Sequence, residues 1–162
     1  MKTLLTFLFL AFAINSFSQE LNFGLESGTG YVDGQLNFFI VSSTIEYRPV
    51  KSLLSYNSGL QVVFINNSAL ITLPLTVKVI IGNRFRACPS FGGFIRNNKN
   101  YGWSAGLSLE YGVTDDLRIL IKGDFNRDYW TGEGPSHQGG TNKYRDSGNT
   151  LWFSIGFKKN IL

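Results

Sequence analysis

The amino-acid sequence predicts an all-β chain, an eight-stranded antiparallel up-and-down transmembrane β-barrel whose polar lumen is filled by side chains. Three observations favour this fold. Apolar and polar residues alternate over segments of about ten residues, which is the period of a strand with two different faces. The links between these segments are alternately short and longer. The composition, with 15% aromatic residues, 18 glycines and 4 prolines, is typical of many short strands.

Residues 1–18 have the pattern of a signal peptide. Lys2 gives a positive start, and the apolar run Leu4–Ile14 is shorter than the ~20 residues of a membrane helix. Two small residues, Ser16 and Ser18, then precede a cleavage site before Gln19. We therefore expect residues 19–162 to form one barrel domain in an exported protein.

Eight alternating segments follow in order along the chain. In the first three, aromatic and aliphatic residues alternate with Asn, Glu, Ser, Thr and Gly. The fourth is the clearest, because every second residue is aliphatic; the fifth has Arg, Cys, Ser and Gly on one face, and the last three alternate Leu, Ile, Phe or Tyr with small and charged residues. This number and length are those of the smallest outer-membrane barrels. The segments are Asn22–Tyr31, Phe39–Tyr47, Leu54–Phe64, Ile71–Ile81, Phe85–Ile95, Ser104–Val113, Leu117–Phe125 and Leu151–Lys158.

The lengths of the links give an independent argument. The second, fourth and sixth links, Arg48–Lys51, Gly82–Arg84 and Thr114–Asp116, are short turns. The odd links are generally longer, and the last covers residues Asn126–Asn149. Outer-membrane barrels have short periplasmic turns and longer external loops, whereas a soluble sandwich has no reason to sort its links. The predicted location is therefore the bacterial outer membrane, in contact with its lipid.

The polar face of the predicted strands carries charges of nearly balanced sign. An eight-stranded barrel is just wide enough for side chains to fill it, and isolated buried charges would be costly. We therefore expect these charges to pair across the lumen, as a polar core in preference to a proton path or a solute channel. They are Glu26, Glu46, Lys78, Arg86, Glu110, Arg118, Lys122, Asp124 and Lys158.

The apolar face carries aromatic residues at two heights. One group lies near the turn ends of the strands and the other near the loop ends, as in the aromatic girdles at the two membrane interfaces. The alternative is the ordinary enrichment of aromatic residues in strands. The turn-end group is Tyr47, Phe85, Tyr111 and Phe157, and the loop-end group is Tyr31, Phe64, Phe91 and Phe125.

Several of these segments resemble the PorT-like outer-membrane β-barrel family of Bacteroidetes. The resemblance rests on the proline–lysine strand Ile71–Lys78, the following strand Phe85–Gly93, and the later strands Ala105–Tyr111 and Leu151–Phe157. The chain departs from the family pattern at Ala87 and Cys88, and in the tail that follows Phe157. The resemblance implies the fold and the location; it implies no activity, because folds host many functions.

No enzyme or metal signature emerges from the sequence. Ser136, His137 and Glu133 fall in a Gly-rich loop without the rigid elements that a catalytic triad needs, so we expect solvated loop residues. One His and one Cys are too few for a metal site, and Cys88 is expected to fill space on the inner face. We predict no catalytic residue, no cofactor and no metal.

The last predicted link is the best candidate for recognition. It mixes aromatic residues with charge, and long loops on a rigid scaffold often bind partners, although a disordered polar loop fits equally well. A formal net charge of +4 without a basic run gives no reason to expect nucleic-acid binding. The candidate contacts are Asp128, Tyr129, Trp130, His137, Tyr144 and Arg145.

The sequence therefore predicts a monomeric, non-enzymatic outer-membrane barrel of structural or partner-binding type, the partner being another envelope protein if there is one. Two alternatives remain open. One is an outer-membrane lipid-modifying hydrolase that uses Ser136 and His137. The other is a soluble periplasmic β-barrel for a small apolar ligand, which predicts aliphatic residues inside and charges outside.

Overall fold

The computed structural model describes residues 19–162 except 33–34, 50–51, 66–67, 98–99 and 136–140; for residues 32, 35–37, 68, 131–135 and 141–146 it describes the backbone. The expected signal peptide, Ser136 and His137 lie outside the described residues. None of the described residues belongs to a helix long and apolar enough to cross a membrane.

The described residues form eight strands. A two-residue segment, Ile81–Gly82, continues the fourth strand past Ile80 and pairs with the fifth. The strands are β1 (Glu20–Val32), β2 (Gln35–Arg48), β3 (Leu54–Ile65), β4 (Ser68–Val79), β5 (Phe85–Arg96), β6 (Tyr101–Gly112), β7 (Leu117–Pro135) and β8 (Thr141–Asn160).

Every strand pairs antiparallel with the next strand in the chain, including β4 with β5. The ring closes where β1 pairs with β8, from Asn22↔Asn160 to Tyr31↔Leu151. The result is a closed up-and-down barrel, as the alternating segments predict. Closure leaves no sheet edge along the paired region, which is what a lipid environment requires of a β structure.

The strand alternation sorts side chains between the outside and the lumen. Leu75, which points outward from β4, is 68% exposed, whereas Glu110, which points inward from β6, is 0% exposed. Most large aliphatic and aromatic residues are on the outside, and most charged strand residues are buried. A soluble protein has the opposite arrangement, because apolar area exposed to water is unfavourable.

The interior changes character along the barrel. Its turn half is mainly polar, although Ile80 and Leu120 are also buried there, and its loop half contains a buried apolar cluster that the sequence analysis did not anticipate. The four members of this apolar lumen cluster are Phe38, Ile40, Val63 and Trp152. The Phe38 ring lies over Gly30, where a Cβ atom would come within 2.0 Å of it, so the cluster depends on a glycine in β1.

Pro74 lies within β4 without breaking it. The β3–β4 ladder is interrupted between the pairs Ser58↔Leu75 and Gln61↔Thr72, so the ladder lacks a pair where proline lacks its N–H. The Ser58 hydroxyl donates to the Pro74 carbonyl oxygen at 3.0 Å instead.

The prediction of one long loop over Asn126–Asn149 is wrong for most of its length. β7 continues to Pro135 and β8 begins at Thr141, and their residues pair in register from Asn126↔Thr150 to Pro135↔Thr141. Glycine and polar residues suggested a loop, but cross-strand backbone pairing continues the hairpin past the ends of the neighbouring strands. We call this extension, residues 130–135 with 141–146, the projecting hairpin.

Candidate functional site

Four charged side chains meet in the turn half of the lumen and form the central ion-pair network. Lys78 Nζ lies 2.6 Å from Glu46 Oε2 and 3.1 Å from Glu110 Oε1. Lys158 Nζ lies 3.1 Å from both Glu46 carboxylate oxygens and 2.8 Å from the Glu110 carboxylate. Each ammonium group therefore binds both carboxylates, and all four side chains are at most 5% exposed.

The barrel geometry explains why these four residues meet. They come from the even strands β2, β4, β6 and β8, each close to the turn end of its strand and each on the inward-facing set. Inward positions at one height of an eight-stranded barrel are close enough for long side chains to touch across the axis. Two positive and two negative groups leave the network neutral, which limits the cost of burying it.

The other predicted lumen charges do not join this network. Lys122 Nζ lies 2.8 Å from Asp124 Oδ2, and Glu26 accepts a hydrogen bond from the Ser154 hydroxyl at 3.0 Å. Arg86 and Arg118 lie nearer the turn-end mouth, where both donate to the Asn83 carbonyl oxygen, at 3.1 Å in each case. The nine residues thus form separate groups at different heights in the lumen.

An ion pair that the sequence analysis missed covers the apolar lumen cluster. The Arg96 guanidinium binds the Asp128 carboxylate and donates to Thr72 Oγ1 at 3.1 Å. Its Cζ lies 4.8 Å from the centre of the Phe94 ring and 5.5 Å from that of Trp152. Asp128, expected in an exposed loop, is instead buried because β7 continues inward-facing alternation beyond Phe125.

The residues of the predicted girdles all point outward. Seven of the eight are exposed, and Tyr47 is half-buried. Sequence reasoning missed Trp103, which lies with its ring centre 5.9 Å from that of Phe91 and 5.6 Å from that of Phe125. Its place two residues before Ala105, on the outward side of an alternating strand, was the available signal.

The candidate contacts of the last link fall in strands or outside the described residues. Tyr129 lies in β7 with its ring centre 5.9 Å from that of Tyr101, and Trp130 packs against Gly148 of β8. Of Glu133, Tyr144 and Arg145 the structure describes the strand backbone. The pairing of β7 with β8 places Tyr129, Trp130, Glu133, Tyr144 and Arg145 on one hairpin.

Cys88 is fully buried on the inner face of β5, where the Ser108 hydroxyl lies 3.5 Å from its carbonyl oxygen. Over the described part of the chain, no group of three His, Cys, Asp or Glu side chains could hold a metal ion.

Comparison with known proteins shows that the fold of this chain is similar to that of solved β-barrel structures. No protein-family model matches the sequence, and no curated protein matches it significantly. Among solved structures, the chain is similar to a de novo designed transmembrane β-barrel, with a TM-score of 0.62 and 14% identity over 88% of this chain and 95% of that one. It is also similar to Neisserial surface protein A, with a TM-score of 0.54 and 11% identity over 88% of this chain and 97% of that one. A major outer membrane protein from Thermus thermophilus is similar too, with a TM-score of 0.52 and 12% identity over 87% of this chain and 99% of that one. At these identities the likeness extends to the fold, and the chain has the closed, eight-stranded antiparallel architecture of transmembrane β-barrels.

Proposed function

We propose that this chain is an outer-membrane β-barrel protein of the PorT-like family, closed to solutes, that acts structurally or by binding an envelope partner and not as an enzyme. One observation supports the membrane location: aliphatic side chains such as Leu75 are on the outside while charged groups such as Glu110 are fully buried. Only a lipid environment favours that arrangement over its inverse.

Closure of the lumen is supported by two obstructions at different heights. The central ion-pair network spans the turn half from β2, β4, β6 and β8. The apolar lumen cluster, beneath the Arg96–Asp128 ion pair, fills part of the loop half. A solute would have to displace both, so we infer a filled barrel and not a pore.

Partner binding is best supported at the projecting hairpin. β6 pairs with β7 as far as Tyr129, and β1 pairs with β8 as far as Leu151. The pairs from Trp130↔Asp146 to Pro135↔Thr141 join β7 and β8 beyond those limits. At about 3.4 Å a residue, these six pairs extend roughly 20 Å past the neighbouring strands, which presents them to a partner outside the membrane.

The soluble barrel for a small apolar ligand finds no support, because it requires the inverse packing. The lipid hydrolase depends on Ser136 and His137, which lie outside the described residues, and of the nearby Glu133 the structure describes the strand backbone.

Two experiments test the proposal. The first is fractionation of cells that express a tagged protein, with unheated and heated electrophoresis of the membrane fraction. We expect recovery in the outer-membrane fraction and a heat-dependent change in migration; recovery in the soluble periplasm without detergent would refute it. The second is cross-linking in intact cells with the wild-type hairpin and with residues 131–145 replaced by a short Gly-Ser turn. A partner captured equally by both would refute the role of the hairpin.

A further inference from the structure

A polar cavity of about 390 Å³ opens at the turn end of the barrel, between the β4–β5 turn and the β6–β7 turn. Arg84, Arg86 and Arg118 line it, together with Gly112, Thr114 and Asp115. We call it the turn-end cavity. We propose that it binds a phosphate-bearing anion, a role that goes beyond the proposed function and rests on the barrel alone.

The backbone of the two turns fixes the walls of the cavity. Gly82 has a φ of 103°, a conformation that favours glycine and turns the chain sharply between β4 and β5. The Gly112 N–H donates to the Arg84 carbonyl oxygen at 2.7 Å, and Arg84 Nε donates back to the Gly112 carbonyl oxygen at 3.3 Å. The two turns are thereby tied together before any ligand binds.

The arginine side chains are held in place mainly by backbone carbonyl groups. Arg118 Nη1 donates to the carbonyl oxygens of Asn83 and Arg84, at 3.1 and 3.4 Å, and Arg86 Nε donates to the Asn83 carbonyl oxygen at 3.1 Å. The Arg84 guanidinium lies 5.5 Å over the Tyr111 ring. Each guanidinium has five N–H donors, so each keeps donors for a ligand after making these contacts.

The carboxylates near the cavity do not balance this charge. Glu20 lies 3.8 Å from Arg86, but it also binds Arg48 at 3.2 Å. Asp115 is the acidic residue of the lining. Glu110, which lies opposite Arg86 in the β5–β6 register, is bound by Lys78 and Lys158 in the central ion-pair network. Three guanidinium groups against one lining carboxylate favour an anion.

The number of guanidinium groups favours phosphate over carboxylate. One planar fork satisfies the two oxygens of a carboxylate, whereas three groups around one cavity suit the several oxygens of a tetrahedral phosphate. The same chemistry occurs in free phosphate and in a lipid headgroup, and the cavity lies near Tyr111 of the turn-end girdle. The experiment therefore distinguishes these two sources.

The test is a titration of the folded protein, in a neutral sugar detergent, with inorganic phosphate and with acetate, followed by calorimetry. A parallel series adds phosphatidic acid or the matching diacylglycerol to the barrel in the same detergent; calorimetry compares the two lipids, and ³¹P NMR follows the phosphatidic acid. We expect saturable binding of phosphate-bearing species and weaker binding of acetate. Binding of inorganic phosphate identifies a soluble ligand, and binding of phosphatidic acid alone identifies a lipid. Binding of neither, or of acetate as tightly as phosphate, overturns the proposal.

Two sets of variants test the location. Arg84→Gln and Arg118→Gln should each weaken binding about tenfold or more, because a charge-assisted hydrogen bond is lost. Lys159→Gln removes a positive charge from the same end of the barrel, outside the cavity lining, and should change affinity less than about twofold. Arg84 is an exposed turn residue, so its variant keeps the test valid if Arg118→Gln fails to fold. Equal weakening in all three would indicate diffuse electrostatic attraction and overturn the proposal.

The second set, Gly112→Ala and Gly123→Ala, changes side-chain volume without changing charge. A Cβ atom at Gly112 would lie 3.4 Å from Arg118 Nη1 and 3.5 Å from the Arg84 carbonyl oxygen, so Gly112→Ala fits the fold but narrows the cavity. At Gly123, on the outer face, the nearest atom would be 3.5 Å away, which makes Gly123→Ala a matched control. We expect about threefold weaker phosphate binding for Gly112→Ala and no change for Gly123→Ala. Weaker phosphate binding by Gly123→Ala than by Gly112→Ala would contradict a site in this cavity. Heat-dependent migration of each variant reports its folding, and this readout is independent of where the protein resides in the cell.

Discussion

Lys78 and Lys158 belong to strands on opposite sides of the barrel, β4 and β8, yet both ammonium groups bind the same two carboxylates, Glu46 and Glu110. The central ion-pair network is therefore neutral and links opposite walls of the barrel through the lumen. The four charged residues lie on four separate strands and can pair only when they are at the same height. The network therefore also favours one register of the strands when the barrel closes. Loss of any one member leaves an excess charge in a site that water hardly reaches.

Glu110→Gln should destabilise the barrel by about 3–5 kcal/mol, because the neutral amide leaves two buried ammonium groups against one carboxylate. The measurement is urea unfolding in lipid vesicles. Asp116→Asn is the control, since Asp116 lies exposed in the β6–β7 turn and its change should stay within about 0.5 kcal/mol. Equal effects of the two substitutions would mean that the network contributes nothing beyond a surface charge.

The double variant Lys78→Met with Glu110→Gln should cost less than the sum of the two single variants. Removing both groups restores equal charge between Glu46 and Lys158, which lie 3.1 Å apart. A double-mutant cycle measures this coupling. Strict additivity would contradict the pairing of Lys78 with Glu110.

The wild-type barrel should not conduct ions. In planar lipid bilayers we expect no discrete current steps, because the central ion-pair network and the apolar lumen cluster both obstruct the lumen. Porin-like steps from purified, correctly folded protein would contradict the filled lumen.

Trp152→Ala should cost about 3–5 kcal/mol, because it opens a cavity beside Phe38, whose ring centre lies 6.0 Å from that of Trp152. Trp152→Phe is the informative control. The Trp152 indole nitrogen has no hydrogen-bond partner among the described residues, so exchange for phenylalanine removes no bond and should cost less than about 1.5 kcal/mol. Similar losses from both variants would contradict packing as the role of this side chain.

Sequence reasoning reached the barrel because a β-barrel sorts its faces with a period of two. The alternation from Ile71 to Ile81, against the buried Thr72, Thr76 and Lys78, is a local signal that needs no knowledge of the partner strands. The short turns at the second, fourth and sixth links were also predicted from local sequence.

Sequence alternation does not reveal which lumen residues are in contact with each other. Contact across the barrel depends on the height of each residue, and that height depends on strand register and stagger. Lys78 and Glu46 are 32 residues apart and two strands apart, so no spacing rule links them. The apolar lumen cluster was missed because Phe38, Ile40 and Val63 interrupt an otherwise polar face. The length of β7 and β8 was missed because their pairing with each other continues through residues of low strand preference.

The most direct test of a membrane-spanning barrel compares two equally exposed leucines. Leu75 is 68% exposed in the middle of β4, and Leu53 is 66% exposed just before β3 begins at the turn end. In lipid vesicles, Leu75→Arg should lower the free energy of unfolding by about 2–4 kcal/mol and Leu53→Arg by about 0–1 kcal/mol, because a charge is costly near the bilayer midplane and tolerated at the interface. Equal, small losses of unfolding free energy at both positions would mean that the outer face meets water, and would contradict a membrane-spanning barrel.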